Sequence, residues 1–168
     1  PADMQLRTRL RELHQLIADA IEQLYPNSQE RFVDLAFHYE QAEDGRKTNK
    51  YLEKAARYAQ RNFQNRQALS FYEKLIANTI DKDKKGKKVI KLILRKGTVH
   101  ELVGQWEEAE QDYRTALERA KNLNDWYLIG RGNRRLGQLL MLRGNYPEAK
   151  KHLDVAITCF DLASDQIG

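Results

Sequence analysis

The sequence has few of the residues that cross-link or bend a chain, and it lacks long apolar runs. It contains one cysteine and three prolines in 168 residues, and no apolar run approaches the roughly 20 residues that cross a bilayer. The single cysteine, Cys159, can form neither an internal disulfide nor a zinc-binding thiolate cluster, and its apolar neighbours predict that it is buried. Because no apolar signal core follows a charged start, we expect a cytoplasmic protein without a membrane segment.

The net charge of +5 is concentrated in one short segment. Residues 81–88, DKDKKGKK, hold five lysines and two aspartates and so carry +3, which leaves +2 for the other 160 residues. The overall charge is therefore weak evidence for nucleic-acid binding. Charged residues make up 32% of the chain and apolar residues 41%, with nine glycines, and this balance favours helices that have solvated faces around a buried core.

Apolar residues recur at three- and four-residue steps along most of the chain, which indicates amphipathic helices. The pattern predicts an all-α protein of about eight helices, arranged as antiparallel hairpins near residues 5–44, 46–79, 89–123 and 126–163. The basic segment 80–88 has no periodic apolar face and is expected to be a connecting loop. The predicted inner face of the first helix consists of seven residues: Leu6, Leu10, Leu13, Ile17, Ala20, Ile21 and Leu24.

The last two hairpins carry the same arrangement of small and bulky residues, 40 positions apart. Residues 103–120, VGQWEEAEQDYRTALERA, are echoed by residues 143–158, RGNYPEAKKHLDVAIT. A third copy lies 41 residues before the first, where Ala56, Ala68, Tyr72 and Leu75 correspond to Gly97, Ala109, Tyr113 and Ala116. Small residues let helices approach closely and bulky residues fill the space between hairpins. The repeats therefore predict one domain, residues 1–168, of stacked hairpins. Trp106 and Tyr146 are expected to pack between those hairpins.

These residues resemble the tetratricopeptide repeat (TPR), which has a small residue at its eighth position, glycine at the fifteenth, alanine at the twentieth, an aromatic at the twenty-fourth and alanine at the twenty-seventh. The resemblance covers Leu52 to Phe160. The period here is 40 to 41 residues rather than the usual 34, no proline closes the repeat, and His100 or Leu140 stands where tyrosine is common. The resemblance implies a right-handed superhelical solenoid in which the first helix of each hairpin lines a concave surface.

The same resemblance implies a non-catalytic protein-binding module. The positions that the family exposes on the concave surface are mostly basic or polar in this sequence, and ten of them form the predicted peptide-binding groove: Lys50, Lys54, Arg57, Lys91, Arg95, Thr98, Arg131, Arg134, Arg135 and Gln138. The other carried-over positions are Glu53, Gln60, Leu94, Glu101 and Met141. Basic groups on a rigid scaffold favour peptides with carboxylates. We therefore expect an acidic or extended protein segment as the partner, from another protein or from the same polypeptide.

Residues 13–76 are similar to the helical region that follows the ATPase module in bacterial adenylate or guanylate cyclases and related signalling ATPases. This second resemblance implies a regulatory or scaffolding part of a larger signalling protein, in which any cyclase or ATPase activity belongs to other segments. The chain ends with SDQIG, which looks like the start of another repeat, and it does not start with methionine. We therefore expect a fragment of a longer protein.

The sequence contains no motif for catalysis and none for a metal or a cofactor. It has no GxSxG, no HExxH and no phosphate-binding glycine loop, and its four histidines fall on four separate predicted helices without a metal-like pairing. We predict no enzyme activity and no cofactor.

Two alternative functions stay open from the sequence. One is nucleic-acid binding through the basic loop 82–88 and the arginine-rich helix 126–143. The other is homo-oligomerisation through an exposed end of the stack.

Overall fold

The computed structural model describes residues 1–167 and contains, within that range, eight α-helices and no strand. The helices are α1 (Ala2–Leu24), α2 (Phe32–Gln41), α3 (Gly45–Arg61), α4 (Asn65–Thr79), α5 (Lys87–Leu102), α6 (Trp106–Asn122), α7 (Trp126–Leu142) and α8 (Tyr146–Ile167), with a 3-10 turn at Gln29–Arg31. The prediction of an all-α protein with about eight helices is confirmed. None of these helices has the length and apolar character that a membrane crossing requires.

The chain divides into two compact units. The first unit is Pro1–Leu75 and holds α1, α2, α3 and most of α4, and the second begins at Ile76 and holds α5 to α8. The predicted loop at 80–88 is shorter than expected, because α5 already begins at Lys87. The residues before α5 form hydrogen-bonded turns, in which the Asp83 amide donates to the Thr79 carbonyl oxygen and the Asp83 carboxylate accepts from the Val89 amide.

The long helix α1 does not bury the face that its periodicity predicted. Ala18 is its one buried residue, whereas Leu6, Leu10 and Leu13 are exposed, Leu6 by 58%. The reason is a difference in length, since 23 residues of α1 extend about 34 Å and the ten residues of α2 extend about 15 Å. The short partner covers only the C-terminal half of α1.

A polar cluster connects that C-terminal half to α2 and α3. The Lys47 ammonium donates to Glu22 at 3.0 Å and to the Tyr39 hydroxyl at 3.1 Å, and the Tyr51 hydroxyl donates to Glu22. The hydrogen bond from Tyr51 is the main cause that lowers the pKa of Glu22, and burial raises the pKa of Tyr39 to about 12. The rings of Tyr39 and Tyr51 are buried. The polar bonds of this cluster therefore attach α1 to the core of the first unit at a place where α1 makes few apolar contacts.

The core of the second unit forms where small residues admit bulky ones from the next helix. A Cβ atom at Gly97 on α5 would come within 2.6 Å of the Tyr113 ring on α6, and a Cβ atom at Gly137 would come within 2.7 Å of Leu153. Tyr113 is fully buried, and Cys159 is buried as predicted. The small and bulky positions that define the sequence repeat therefore make close contacts within its hairpins.

The tight turns between helices share one backbone conformation. Gly104 and Gly144 have φ near +80°, and the non-glycine residues Glu43, Phe63 and Asn124 take up positive φ at the corresponding point of their turns. The expected burial of the aromatic residues after these turns is wrong, since Trp106 and Tyr146 are both exposed, Tyr146 by 66%. Each aromatic residue is the first residue of the second helix of its hairpin.

Candidate peptide-binding surface

Four arginine side chains of the second unit lie close together on α5 and α7, which pack side by side. We name Arg95 on α5 with Arg131, Arg134 and Arg135 on α7 the arginine cluster. Burial lowers the pKa of Arg131, and the neighbouring charges of Arg95, Arg134 and Arg135 lower it further, against the opposing effect of Tyr127. The four predicted groove residues thus share one region, in which the neighbouring guanidinium groups raise the free energy of charged Arg131.

The arginine cluster differs from several other basic groups of this unit because, among the described residues, it has no carboxylate partner. Within residues 1–167, none of its four guanidinium groups forms an ion pair at 4.0 Å or less. By contrast, Lys96 lies 3.1 Å from Asp112, and Arg114 lies 2.9 Å from Glu110 and 2.8 Å from Glu148. An acidic group placed against the cluster would therefore replace repulsion by attraction without breaking an existing pair.

The other predicted groove residues of this unit surround the cluster to different degrees. Lys91 and Gln138 are exposed, whereas Thr98 is half-buried and its hydroxyl donates to the Leu94 carbonyl oxygen at 3.0 Å. Leu94 itself was expected among the exposed positions and is buried, because it joins the hydrophobic core. The Tyr113 hydroxyl donates to the Glu101 carboxylate at 2.7 Å. Glu101 therefore forms a hydrogen bond between the two helices of its own hairpin.

The predicted groove residues of the first unit lie on the exposed face of α3. Lys50, Lys54 and Arg57 are all exposed. The Lys50 ammonium lies 5.3 Å from the centre of the Tyr51 ring, and the Lys54 ammonium lies 5.4 Å from the centre of the Phe32 ring. Arg57 forms an ion pair with Glu53 on the same helix at 2.8 Å. Two of these cations therefore have an aromatic neighbour, and the third has an acidic partner on its own helix.

An aromatic pair beside the arginine cluster was not singled out by the sequence. The rings of Tyr127 on α7 and Phe160 on α8 lie 6.0 Å apart, with Arg131 at 5.9 Å from the Tyr127 ring and Arg134 at 5.9 Å from the Phe160 ring. A Cβ atom at Gly130 would come within 2.8 Å of the Phe160 ring. This glycine inside a helical pattern was the one signal in the sequence that a bulky group approaches α7 there.

The histidines are paired more closely than the sequence indicated. His14 on α1 and His38 on α2 have their Nδ1 atoms 2.8 Å apart, and His100 Nδ1 lies 2.7 Å from the Asp112 carboxylate. Over the part of the chain that the structure describes, no group of three or more His, Cys, Asp or Glu side chains is placed to hold a metal ion. The two contacts therefore connect neighbouring helices in pairs.

Together, the helical hairpins and the arginine cluster of the second unit define a helical repeat scaffold with a basic surface. Residues 89–161 match the family model of the tetratricopeptide repeat. No curated protein matches the chain in sequence.

Solved structures share the fold over nearly the whole chain. BtubC (BKLC) from P. vanneervenii is 17% identical, with a TM-score of 0.67 over 94% of this chain and 65% of its own. A Rap protein complexed with Competence and Sporulation Factor is 18% identical, with a TM-score of 0.62 over 92% of this chain and 44% of its own. A structure of nearly identical TPR-like repeats from Podosopora anserina is 17% identical, with a TM-score of 0.58 over 98% of this chain and 94% of its own. The chain thus has a TPR-like solenoid fold and spans less than two thirds of the first two proteins.

Proposed function

We propose that the protein is an interaction module that binds an acidic, extended peptide segment on its arginine cluster. The tetratricopeptide repeats of residues 89–161 and the TPR-like fold support a protein–protein interaction module in general. In the proposed complex, carboxylates of the partner contact Arg95, Arg131, Arg134 and Arg135, with Lys91, Thr98 and Gln138 at the borders of the same surface. Lys50, Lys54 and Arg57 offer further cationic contacts on the first unit.

The observation that carries this proposal is the absence of an ion pair at four neighbouring guanidinium groups within residues 1–167. Arginine presents its donors in a planar fork that matches a carboxylate, and such charge-assisted bonds are about twice as strong as neutral ones. Half-buried Arg131 and Arg135 are partly dehydrated before binding, which strengthens their attraction for an anion. The arrangement therefore favours an acidic segment over a neutral or basic one.

We further propose that this module serves as a regulatory or scaffolding part of a larger bacterial signalling protein in the cytoplasm. The similarity of residues 13–76 to the helical region of bacterial cyclases and signalling ATPases supports this context. The Rap protein of similar fold was solved in complex with Competence and Sporulation Factor, which shows that a protein of this fold can hold a partner. The segment bound here is either a partner protein or another part of the same polypeptide.

The test compares two charge-reversed double variants for binding of a glutamate-rich peptide. Arg131→Glu with Arg134→Glu alters the arginine cluster. Arg7→Glu with Arg9→Glu makes the same change in net charge at two exposed positions of α1. We expect the cluster variant to lose at least tenfold in affinity and the α1 variant to stay near wild type, with wild-type binding weakened by added salt. Equal affinity of the wild type and the cluster variant would reject the proposal.

The same samples separate the two alternatives. Binding of a DNA or RNA oligonucleotide at low salt that depends on Lys82, Lys84 and Lys85, without binding of the acidic peptide, would support a nucleic-acid function instead. A mass that rises with protein concentration in light scattering, without peptide binding, would support homo-oligomerisation.

A further inference from the structure

We infer that the partner segment carries a large apolar side chain two residues away from its first acidic residue, and that a pocket beside the arginine cluster holds this side chain. The inference rests on the proposed function, because the acidic residues of the same segment contact the arginine cluster. It adds the second contact point and the sequence pattern of the partner.

The pocket lies in the second unit, where the first turn of α7 faces the last turns of α8. It has a volume of about 480 Å³, within the roughly 300–1,000 Å³ range of ligand pockets. Its apolar lining comes from Leu123, Tyr127, Phe160 and Ala163. Tyr127 is 52% exposed and Leu123 is also exposed, so an apolar side chain that entered the pocket would remove apolar surface from water on both sides.

The charged groups of the pocket favour a neutral occupant. Lys87 and Asp125 both line it, and their side chains form an ion pair at 3.0 Å. Asp125 also accepts a hydrogen bond from the Leu128 amide at the start of α7. Because this carboxylate is fixed at the pocket and its lysine neighbour is already paired, a second carboxylate would be repelled there. The acidic residues of the partner therefore belong on the arginine cluster and the apolar residue in the pocket.

The aromatic pair connects the pocket to the arginine cluster. Tyr127 and Phe160 line the pocket and also lie next to Arg131 and Arg134, each at 5.9 Å. Phe160 is held at this place by its contact with Gly130, where any side chain would collide with the ring. A single bound segment can thus touch the pocket and the guanidinium groups without a gap between the two contacts.

The spacing along α7 sets the spacing in the partner. Tyr127, Arg131 and Arg135 follow one another at four-residue intervals, which places them about 6 Å apart along one face of the helix. Alternate side chains of an extended chain point to the same side about 6.6 to 6.8 Å apart. An extended segment with an apolar residue, then acidic residues two and four positions away, therefore matches the three side chains in register. The match holds for either chain direction.

The experiment measures the affinity of fluorescein-labelled peptides for the 168-residue chain by anisotropy. The probes contain Trp-Ser-Glu-Ser-Glu, its reverse, the anchorless Ser-Ser-Glu-Ser-Glu, and the permuted Trp-Glu-Glu-Ser-Ser. We expect one direction of the first pattern to bind roughly tenfold more tightly than the anchorless peptide, as burial of part of one large apolar side chain predicts. The permuted peptide should lose most of this gain. Equal affinity of the anchored and anchorless peptides would overturn the inference.

A pair of variants on α8 tests the pocket itself. Ser164→Phe adds a ring at an exposed residue of the pocket wall, and Thr158→Phe adds the same ring at an exposed position of the helix outside the pocket. Ser164→Phe should reduce binding of the anchored peptide to the anchorless level and leave the anchorless peptide unaffected, while Thr158→Phe changes neither. The inference would be wrong if Ser164→Phe lowered the affinity for both peptides alike. It would also be wrong if Ser164→Phe prevented self-association of the protein and left peptide binding unchanged. Failure of every peptide to bind the wild type would instead reject the proposed function.

Discussion

Gly97 on α5 lies so close to Tyr113 on α6 that a Cβ atom at position 97 would come within 2.6 Å of the tyrosine Cε1 atom. Tyr113 cannot easily move aside, because it is fully buried and its hydroxyl donates to Glu101 at 2.7 Å. This close approach of α5 and α6 therefore depends on the absence of one methyl group.

We predict that Gly97→Ala destabilises the protein by about 1–3 kcal/mol, the usual cost of overpacking a core. The sign is the informative part, since the same change inside an unconstrained helix stabilises by roughly 0.5–1 kcal/mol. Urea unfolding measures the difference. In a Tyr113→Leu background the cost of Gly97→Ala should become smaller, as expected for two residues in contact. A cost that stayed the same in both backgrounds would place the collision elsewhere.

Phe63 provides a test of the turns between helices. It has φ of 58° and its side chain is 82% exposed, so the ring contributes little packing while the backbone occupies a conformation that suits glycine. We predict that Phe63→Gly stabilises the protein by about 0.5–1 kcal/mol. Gly104→Phe, the reverse exchange in the next repeat, should destabilise the protein, because φ there is +78°. Since no atom lies within 4 Å of a Cβ at this position, the loss comes from the backbone conformation and not from a clash. Thermal unfolding of the two variants should shift in opposite directions, and a lower melting temperature for Phe63→Gly would contradict this account.

The contact between His14 and His38 predicts a loss of stability at mildly acidic pH. Burial lowers the pKa of His38, the charge of His14 lowers it further, and Asp34 opposes both. Because the unfolded chain binds this proton more readily, the free energy of unfolding falls as the pH drops from about 6.5 through the lower pKa of the folded state. Chemical denaturation between pH 7.5 and 5.5 should show this slope, and His38→Gln should reduce it.

A second histidine contributes with the same sign, since burial also lowers the pKa of His152. The slope should therefore become smaller in His38→Gln without disappearing. His152→Gln provides the comparison, and a slope unaffected by His38→Gln would show that His38 does not govern this pH range.

The repeat and its internal contacts were predictable from the sequence, because they depend on residue size at fixed intervals. Gly97, Gly137, Tyr113 and Leu153 were identified by spacing, and the structure places each glycine against its bulky partner. The face of α1 was not predictable in the same way. Its apolar period predicts a helix, but the area that α2 covers depends on a length difference that only the assembled hairpin reveals.

The sequence selected the basic residues of the candidate site, but it did not select the aromatic residues beside them. The resemblance to the tetratricopeptide repeat selected Arg131, Arg134 and Arg135, whose common location with Arg95 follows from the packing of α5 beside α7. The aromatic pair could not be found in this way, since Tyr127 and Phe160 are far apart in the sequence and belong to different helices. Only Gly130 indicated their contact, and a single glycine does not identify which ring approaches it.

The exposed half of α1 has a consequence for local opening. Residues 2–13 are helical, yet every one of them is exposed. Apart from the exposed ion pair of Arg11 with Glu43 at 3.3 Å, their backbone hydrogen bonds therefore gain little support from tertiary contacts. Amide protons in this stretch should exchange with deuterated solvent at rates close to those of a fraying peptide, orders of magnitude faster than the amides around Tyr113.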